Sequence, residues 1–369
     1  MKAIYLSLIL TVSLVLVACS EENVEQYEIS EIGTTSDTIY ISATDTIGLE
    51  IGDETKTFAF LVSCGYTPDG NIAVLDAQKN TLQIFEPNGE ELMQVGRNGQ
   101  APGEYQLPLG LAITGNGYIL SDVGGAKLIR YNTDGSLRDE LNDFGIMPPT
   151  VITGTIGNNY LAQHLNFNLE GENGPEVSMD FVAFGDSSKP ETVFLCYPID
   201  SSGGGEVAAA QLECTGGINE EAILAEQSDS LFSLISFSKT GEEIFRITEE
   251  WDKIPLTEEE LAEDELTMSI MISDEGSAVN RGRQPRTNEY RTIIDGVGAD
   301  SQGRIWVQMG DQLTPYFKIY SATGELLSIA IPDETIDSDA TYAISPFGLL
   351  AYDEDPVDWP KIYLLDITE

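Results

Sequence analysis

The chain has 369 residues, with 62 Asp and Glu against 18 Lys and Arg, a formal net charge of −44. Such a surface repels nucleic acid and anionic headgroups, which excludes a nucleic-acid partner. An apolar fraction of 41% with 8% aromatic residues excludes an acidic disordered chain, which would lack a core.

The opening residues MKAIYLSLILTVSLVLVACSEE put Lys2 ahead of a mostly apolar run, Ala3 to Val17, which meets Ala18-Cys19. That run is too short to span a bilayer with flanks and has the form of a secretory signal. Leu16-Val17-Ala18-Cys19 resembles a bacterial lipobox. Residues 1–18 are therefore expected to be a signal peptide, with Cys19 lipidated and 19–26 a tether. Acyl chains would anchor the protein without a transmembrane helix, since each buried methylene adds about 0.8 kcal/mol of membrane affinity. Ser20-Glu21-Glu22 resembles the acidic export signal of surface lipoproteins in Bacteroidetes-type bacteria. The expected place is the outer membrane, facing the periplasm or the cell surface. Loss of residues 1–18 removes one Lys and no acid, leaving 17 basic and 62 acidic groups, a net of −45.

Beyond the tether, residues 27–369 read as one repetitive domain. TPDGNIAVLDAQKNTLQIFEPNGEELMQVG (67–96) can be laid on ITGNGYILSDVGGAKLIRYNTDGSLRDEL (113–141) and on ADSQGRIWVQMGDQLTPYFKIYSATGELLSIAIP (299–332). Each runs turn with Gly, alternating strand, polar turn, alternating strand, Gly turn, strand. Gly70 and Gly117 lie 47 residues apart, and Gly89 and Gly135 lie 46 apart. Glycine supplies the positive φ of a tight turn, and period-two alternation marks the strands between. Units of 40 to 47 residues with four short strands have the size of a propeller blade. The fold class expected is all-β, a six-bladed β-propeller. Its blades cover about 56–96, 107–144, 150–197, 207–248 and 291–332. A sixth joins 342–369 to an N-terminal strand from the 27–51 region, so that the two termini close one blade.

GRNGQAPGEYQLPLG (96–110) falls between the first two units. It lacks the Gly-Lys-Ser/Thr of a Walker loop, fails as a dinucleotide fingerprint, and reads as the joint between blades. Gly96-Arg97-Asn98-Gly99-Gln100-Ala101-Pro102-Gly103-Glu104-Tyr105 also resembles the G-R-x-G-x-G-P-G-E-F/Y segment of NHL-repeat-like propellers. It is similar in particular to six-bladed β-propeller lipoproteins of Bacteroidetes. Asp69 to Asp76, Leu82 to Gly89 and Asp300 to Val307 match further elements of that pattern. Ala101 departs from it where Gly is usual, and Gly125-Ala126 departs where Asn and basic residues are favoured. The resemblance implies a ring-shaped extracytoplasmic domain and, for most members, no established chemistry.

Residues 249–290 interrupt the repeat. Thr257 and Glu260 fit a capping box after Pro255, and Leu261, Met268, Met271 and Ile272 give a partial apolar face, so a short acidic helix is expected there. Arg281, Arg283, Arg286 and Arg291 follow within eleven positions. They either neutralise the acidic insertion or line the channel mouth, where guanidinium forks would bind carboxylate or sulfated-sugar groups. Asp353, Asp355 and Asp358 offer hard oxygen ligands that would suit Ca2+, although the spacing matches no EF-hand loop and a turn is the simpler reading. No other cofactor is expected. One His and no C-x-x-C spacing argue against zinc. Cys196 and Cys214 are the closest free pair in sequence and are expected to form a disulfide outside the cytoplasm. His164, alone in NNYLAQHLNFN, reads as a hydrogen-bonded structural residue.

Together these features describe a monomeric, membrane-anchored scaffold that binds a protein, peptide or glycan at one propeller face. The rival is a lactonase or lyase with an axial divalent metal. Three or more acidic or Asn side chains from different blades converging on the axis would favour the rival, and an axis lined by apolar and Arg residues would favour binding.

Overall fold

The computed structural model describes residues 38–144, 147–149, 151–168, 176–199, 211–217, 219–227, 231–252, 254–257, 290–310, 315–353 and 359–368. Thr35–Glu369 form one compact unit. β1 (Thr38–Ile47) comes first, and blade 1 follows as β2 (Leu61–Tyr66), β3 (Ile72–Asp76), β4 (Thr81–Phe85) and β5 (Glu91–Val95). Two short strands, β6 (Arg97–Asn98) and β7 (Glu104–Tyr105), lead to blade 2, made of β8 (Pro108–Thr114), β9 (Gly117–Asp122), β10 (Lys127–Asn132) and β11 (Leu137–Leu141). Blade 3 comprises β12 (Val151–Ile156), β13 (Asn159–Asn168), β14 (Glu176–Phe184) and β15 (Pro190–Ile199). Blade 4 comprises β16 (Gln211–Gly216), β17 (Glu221–Gln227), β18 (Leu231–Ser238) and β19 (Glu243–Glu250). Blade 5 comprises β20 (Ile294–Ala299), β21 (Ile305–Met309), β22 (Tyr316–Tyr320) and β23 (Leu326–Pro332). β24 (Thr341–Ser345), β25 (Gly348–Tyr352) and β26 (Ile362–Thr368) complete the set.

Blades 1 to 4 are four-stranded antiparallel meanders. Blade 6 is β24-β25-β26 with β1 as its outermost strand, so both ends of the ring share one blade. β1 also runs parallel to β23, pairing Thr38–Ile41 with Ile329–Pro332 and fusing blades 5 and 6 into one eight-stranded sheet. Each inner strand touches the next in the cycle β2, β8, β12, β16, β20, β24 and back to β2. The protein is a closed six-bladed β-propeller.

The sequence builds this ring because each blade must bury both faces. In β3, Ile72 and Val74 enter a core shared with Leu350, Tyr352 and Leu364 of blade 6. Ala73 and Leu75 enter a second core with Leu111, Tyr118 and Leu120 of blade 2. Strand alternation thus points one strand into two different cores. The turn glycines recur in shape as well as in spacing. Gly89 and Gly135 have φ of 78° and 77°, and each donates its N–H to the carbonyl three residues back, Glu86 and Asn132. The aspartate that ends β3 or β9 is a clasp: Asp76 accepts from the N–H groups of Ala59 and Phe60, Asp122 from those of Gln106 and Leu107. Close approach of inner strands has its own requirement. A Cβ on Gly216 would collide with the Thr155 carbonyl of blade 3.

The 96–110 segment is a joint. It leaves β5 at Val95, enters β8 at Pro108, and folds back through the parallel β6–β7 pair. Tyr105 is fully buried, and its hydroxyl accepts from Leu82 N–H and donates to the Val95 carbonyl, each at 3.0 Å. Tyr131 Oη donates to the Gly103 carbonyl from blade 2. Tyr105→Phe leaves a donor and an acceptor of blade 1 without partners in a dry site, and is expected to cost about 1–3 kcal/mol in urea unfolding. A loss within error would remove Tyr105 from the joint.

One expectation changes, and another falls outside the described residues. Glu249 and Glu250 belong to β19, so the repeat runs further than the 249–290 boundary allowed. No helix occurs among the described residues. Most of the expected helix, including Glu260, lies in 258–289, outside the described residues.

Candidate functional site

The crossover from β19 to β20 is where the ring departs most from its repeat. Its two feet meet: Pro255 and Tyr290 form an antiparallel bridge, and Arg291 N–H donates to the Ile254 carbonyl at 2.8 Å. Blade 5 then begins within three residues. Thr292 donates its hydroxyl to Asp295 at 2.6 Å, and Gln227 Oε1, from the end of β17, accepts from Ile293 N–H at 2.6 Å. The register of β20 against β21 skips between Ile294 and Gly296, so Asp295 sits on a β-bulge. A bulge re-aims a side chain that a regular strand would hold in line.

Glu213 sits on the neighbouring inner strand, β16, between Leu212 and Cys214. Cys214 points back toward blade 3, where its sulfur lies 3.1 Å from Thr153 Oγ1 and joins the core between blades 3 and 4. Alternation turns Glu213 the other way, toward blade 5. It is ringed by protein yet keeps a path to solvent. Burial, and then the Asp295 carboxylate, push its ionisation up to about 8. At neutral pH Glu213 is therefore a neutral acid able to donate a proton, beside Asp295, whose Oδ1 accepts from Thr292. Desolvation and a like charge are the two standard routes to such a shift.

Of the residues expected to form sites, Arg291 lies at the foot of the crossover, four positions before Asp295. Arg281, Arg283 and Arg286 lie outside the described residues, as does Cys19. Asp353 is buried, and its N–H donates to the Lys361 carbonyl at 2.9 Å. Asp355 and Asp358 lie outside the described residues. The Cys196–Cys214 bridge is not formed: both thiols are free. The reason is geometric, since Cys196 is exposed on the outer strand β15 while Cys214 is buried on the inner strand β16. His164 packs edge-on against Phe184 at 5.5 Å, and burial holds its ionisation below the ordinary imidazole value. Glu213 and Asp295 escaped the reading of the sequence. The available signal was a single acid within an otherwise uncharged strand, in QLECTG and IIDGVGA.

The class is fixed by the ring itself, and comparison with known proteins agrees. Residues 59–173 match the family DUF5128, described as a 6-bladed beta-propeller. Among solved structures the chain is similar to a DUF4221 family member from Bacteroides vulgatus, at 10% identity and a TM-score of 0.52, covering 90% of this chain and 99% of that one. Virginiamycin B lyase from Staphylococcus aureus matches at 12% identity and a TM-score of 0.40, covering 84% of this chain and 81% of that one. The calcium-binding protein regucalcin from Agrobacterium tumefaciens matches at 11% identity and a TM-score of 0.42, covering 89% and 96%. These likenesses speak to the fold alone. No curated protein matches.

Proposed function

We propose that the protein is a β-propeller lipoprotein, held at the outer membrane by acyl chains on Cys19, that acts as a binding scaffold for a peptide, glycan or protein. The observation that supports this reading is the Glu213–Asp295 pair. A Glu213 held neutral by burial and the Asp295 side chain stand on adjacent inner strands, beside the feet of the β19–β20 crossover. A rigid ring with a polar pair at its inner edge, beside the paired feet of the β19–β20 crossover, suits capture of a hydrogen-bonding ligand. A metal-dependent lactonase or lyase would need a third ligand from another blade at the axis. Among the described residues no three His, Cys, Asp or Glu side chains are grouped so as to hold a metal.

The test is binding of the full-length protein, in detergent, to peptide and glycan arrays, alongside a Glu213→Ala/Asp295→Ala variant. At least a tenfold loss of capture is expected; equal capture by both proteins, or none by either, would contradict the placement. Charge reversal at Arg283 and Arg286 on the same arrays should weaken only anionic ligands. The anchor is checked separately: Cys19→Ser is expected to move the protein from the membrane fraction to the soluble one, and persistent attachment would refute lipidation.

A further inference from the structure

We infer that the groove between blades 1 and 2, on the face where the inner hairpins turn, receives an arginine side chain of a basic polypeptide partner. A second groove of the same ring carries the inference. The turns that follow β2 and β20 are one structure repeated. Gly70 and Gly303 have φ of 79° and 76°, and their N–H groups donate to the carbonyls of Thr67 and Asp300. Thr67 N–H donates to the Asn71 carbonyl, and Asp300 N–H to the Arg304 carbonyl. The following blade offers the same neighbour both times: the hydroxyls of Thr114 and Ser345 donate to the carbonyls of Gly117 and Gly348. Asn71 therefore stands where Arg304 stands, and Tyr118 where Leu349 stands.

Between blades 5 and 6 this groove already holds a guanidinium. Arg304 Nε donates to Asp300 Oδ2 at 2.6 Å, and its Cζ lies 5.5 Å from the centre of the Trp306 ring. An acid and an aromatic ring are the partners a guanidinium prefers. Between blades 1 and 2 both kinds of partner remain and the cation is replaced by Asn71. Tyr118 lines the groove, Ile84, Leu92 and Met93 form its apolar side, and Asp69 stands exposed at its rim. Burial, and after it Asp69, push the Tyr118 phenol up, which places the acid near the ring. Among the described residues no ion pair reaches Asp69. What remains open is a cavity of about 120 Å3, where a single water needs roughly 10–15 Å3.

A partner's guanidinium supplies from outside what Arg304 supplies from within. The formal net charge of −44 draws a basic polypeptide to the surface. Leu92, 47% exposed, carries the apolar side of the groove out to solvent, where the methylenes of an arginine stem lie against it. Arginine is preferred to lysine because a planar guanidinium stacks on a ring and forks onto a carboxyl at the same time. The groove lies beyond the last residues of β2 and β8, whereas Asp295 is the second residue of β20. The inference therefore does not rest on the Glu213–Asp295 pair.

The experiment is titration of the full-length protein in detergent with N-acetyl-arginine amide, read by NMR of isotope-labelled methionine methyl groups. Met93→Leu identifies the Met93 signal. A saturable shift of that signal is expected, with N-acetyl-citrulline amide, the uncharged analogue, binding about tenfold more weakly or less. The lysine amide should fall between the two. Asp69→Asn, at an exposed turn position, should weaken arginine binding about tenfold or more. Asn71→Arg, which gives the groove its own guanidinium as in blade 5, should abolish the response while the protein melts no lower than the wild type. Diffuse attraction of the cation to the acidic surface shifts many signals without saturation and ignores Asp69→Asn. That pattern, a still Met93 signal, or equal binding of the arginine and citrulline amides would overturn the inference.

Discussion

Replacing Ile41 with Asp is expected to unfold the ring edge and lower the melting temperature by about 10 °C or more, while Tyr40→Asp, one residue away, changes it little. Ile41 is fully buried in the core that joins blades 5 and 6, beside Trp306, Phe317 and Ala351, and pairs with Ile367 of β26 and Pro332 of β23. Tyr40 is 57% exposed on the other face of the same strand. A carboxylate in the first position is desolvated without a partner, at a cost of several kcal/mol against a total stability of about 5–15 kcal/mol. In the second position it stays in water. Opposite outcomes at adjacent residues test the register of β1, because a slip by one residue would exchange the two. Equal effects, measured by thermal unfolding of the full chain, would show that β1 is not seated between β23 and β26.

Glu213→Gln is expected to stabilise the protein in alkali and to do nothing in acid. The folded state holds the Glu213 proton up to about pH 8, whereas the unfolded chain releases it near the ordinary value of 4.5. Between those limits the folded state binds more protons than the unfolded one, so stability falls as pH rises across the window and levels off above it. Glutamine mimics the neutral acid and removes that slope. The variant should match the wild type at pH 4.5 and exceed it by about 2–3 kcal/mol at pH 9, a range set below the full shift because the site retains a path to water. Asp295→Asn should recover part of the same gain, since the neighbouring carboxylate is the lesser cause. Parallel urea-unfolding curves for wild type and Glu213→Gln from pH 4.5 to 9 would contradict a neutral Glu213, and with it the mixed donor–acceptor character of the site.

The ring could be read in the chain because its determinants are local. Gly89 and Gly135 mark equivalent turns, and the alternation in IAVLD and TLQIF marks strands whatever lies around them. The sharing of a blade by the two termini followed from the need to leave no open edge, and β1 beside β26 satisfies it. The parallel seam between β1 and β23 carried no such signal, since nothing in ISEIGTTSDTIYIS names a second partner. Sites were harder for a related reason. Glu213 and Asp295 lie 82 positions apart and meet only because two inner strands are neighbours in the ring. Cys196 and Cys214 failed as a pair because nearness in sequence says nothing about which strand of a blade is inner and which outer.

Closure of the ring by its own first strand is measured most directly by a cross-link. Ser42 and Asp366 are paired across β1 and β26, on the part of the blade open to oxidant. The double variant Ser42→Cys/Asp366→Cys, made with the other cysteines replaced by Ser or Ala, is oxidised and digested without reduction. A peptide from residues near 42 joined to one from residues near 366 within a single chain is the predicted product. Free thiols at both positions, or a bridge only between two chains, would show that the first strand does not close the propeller.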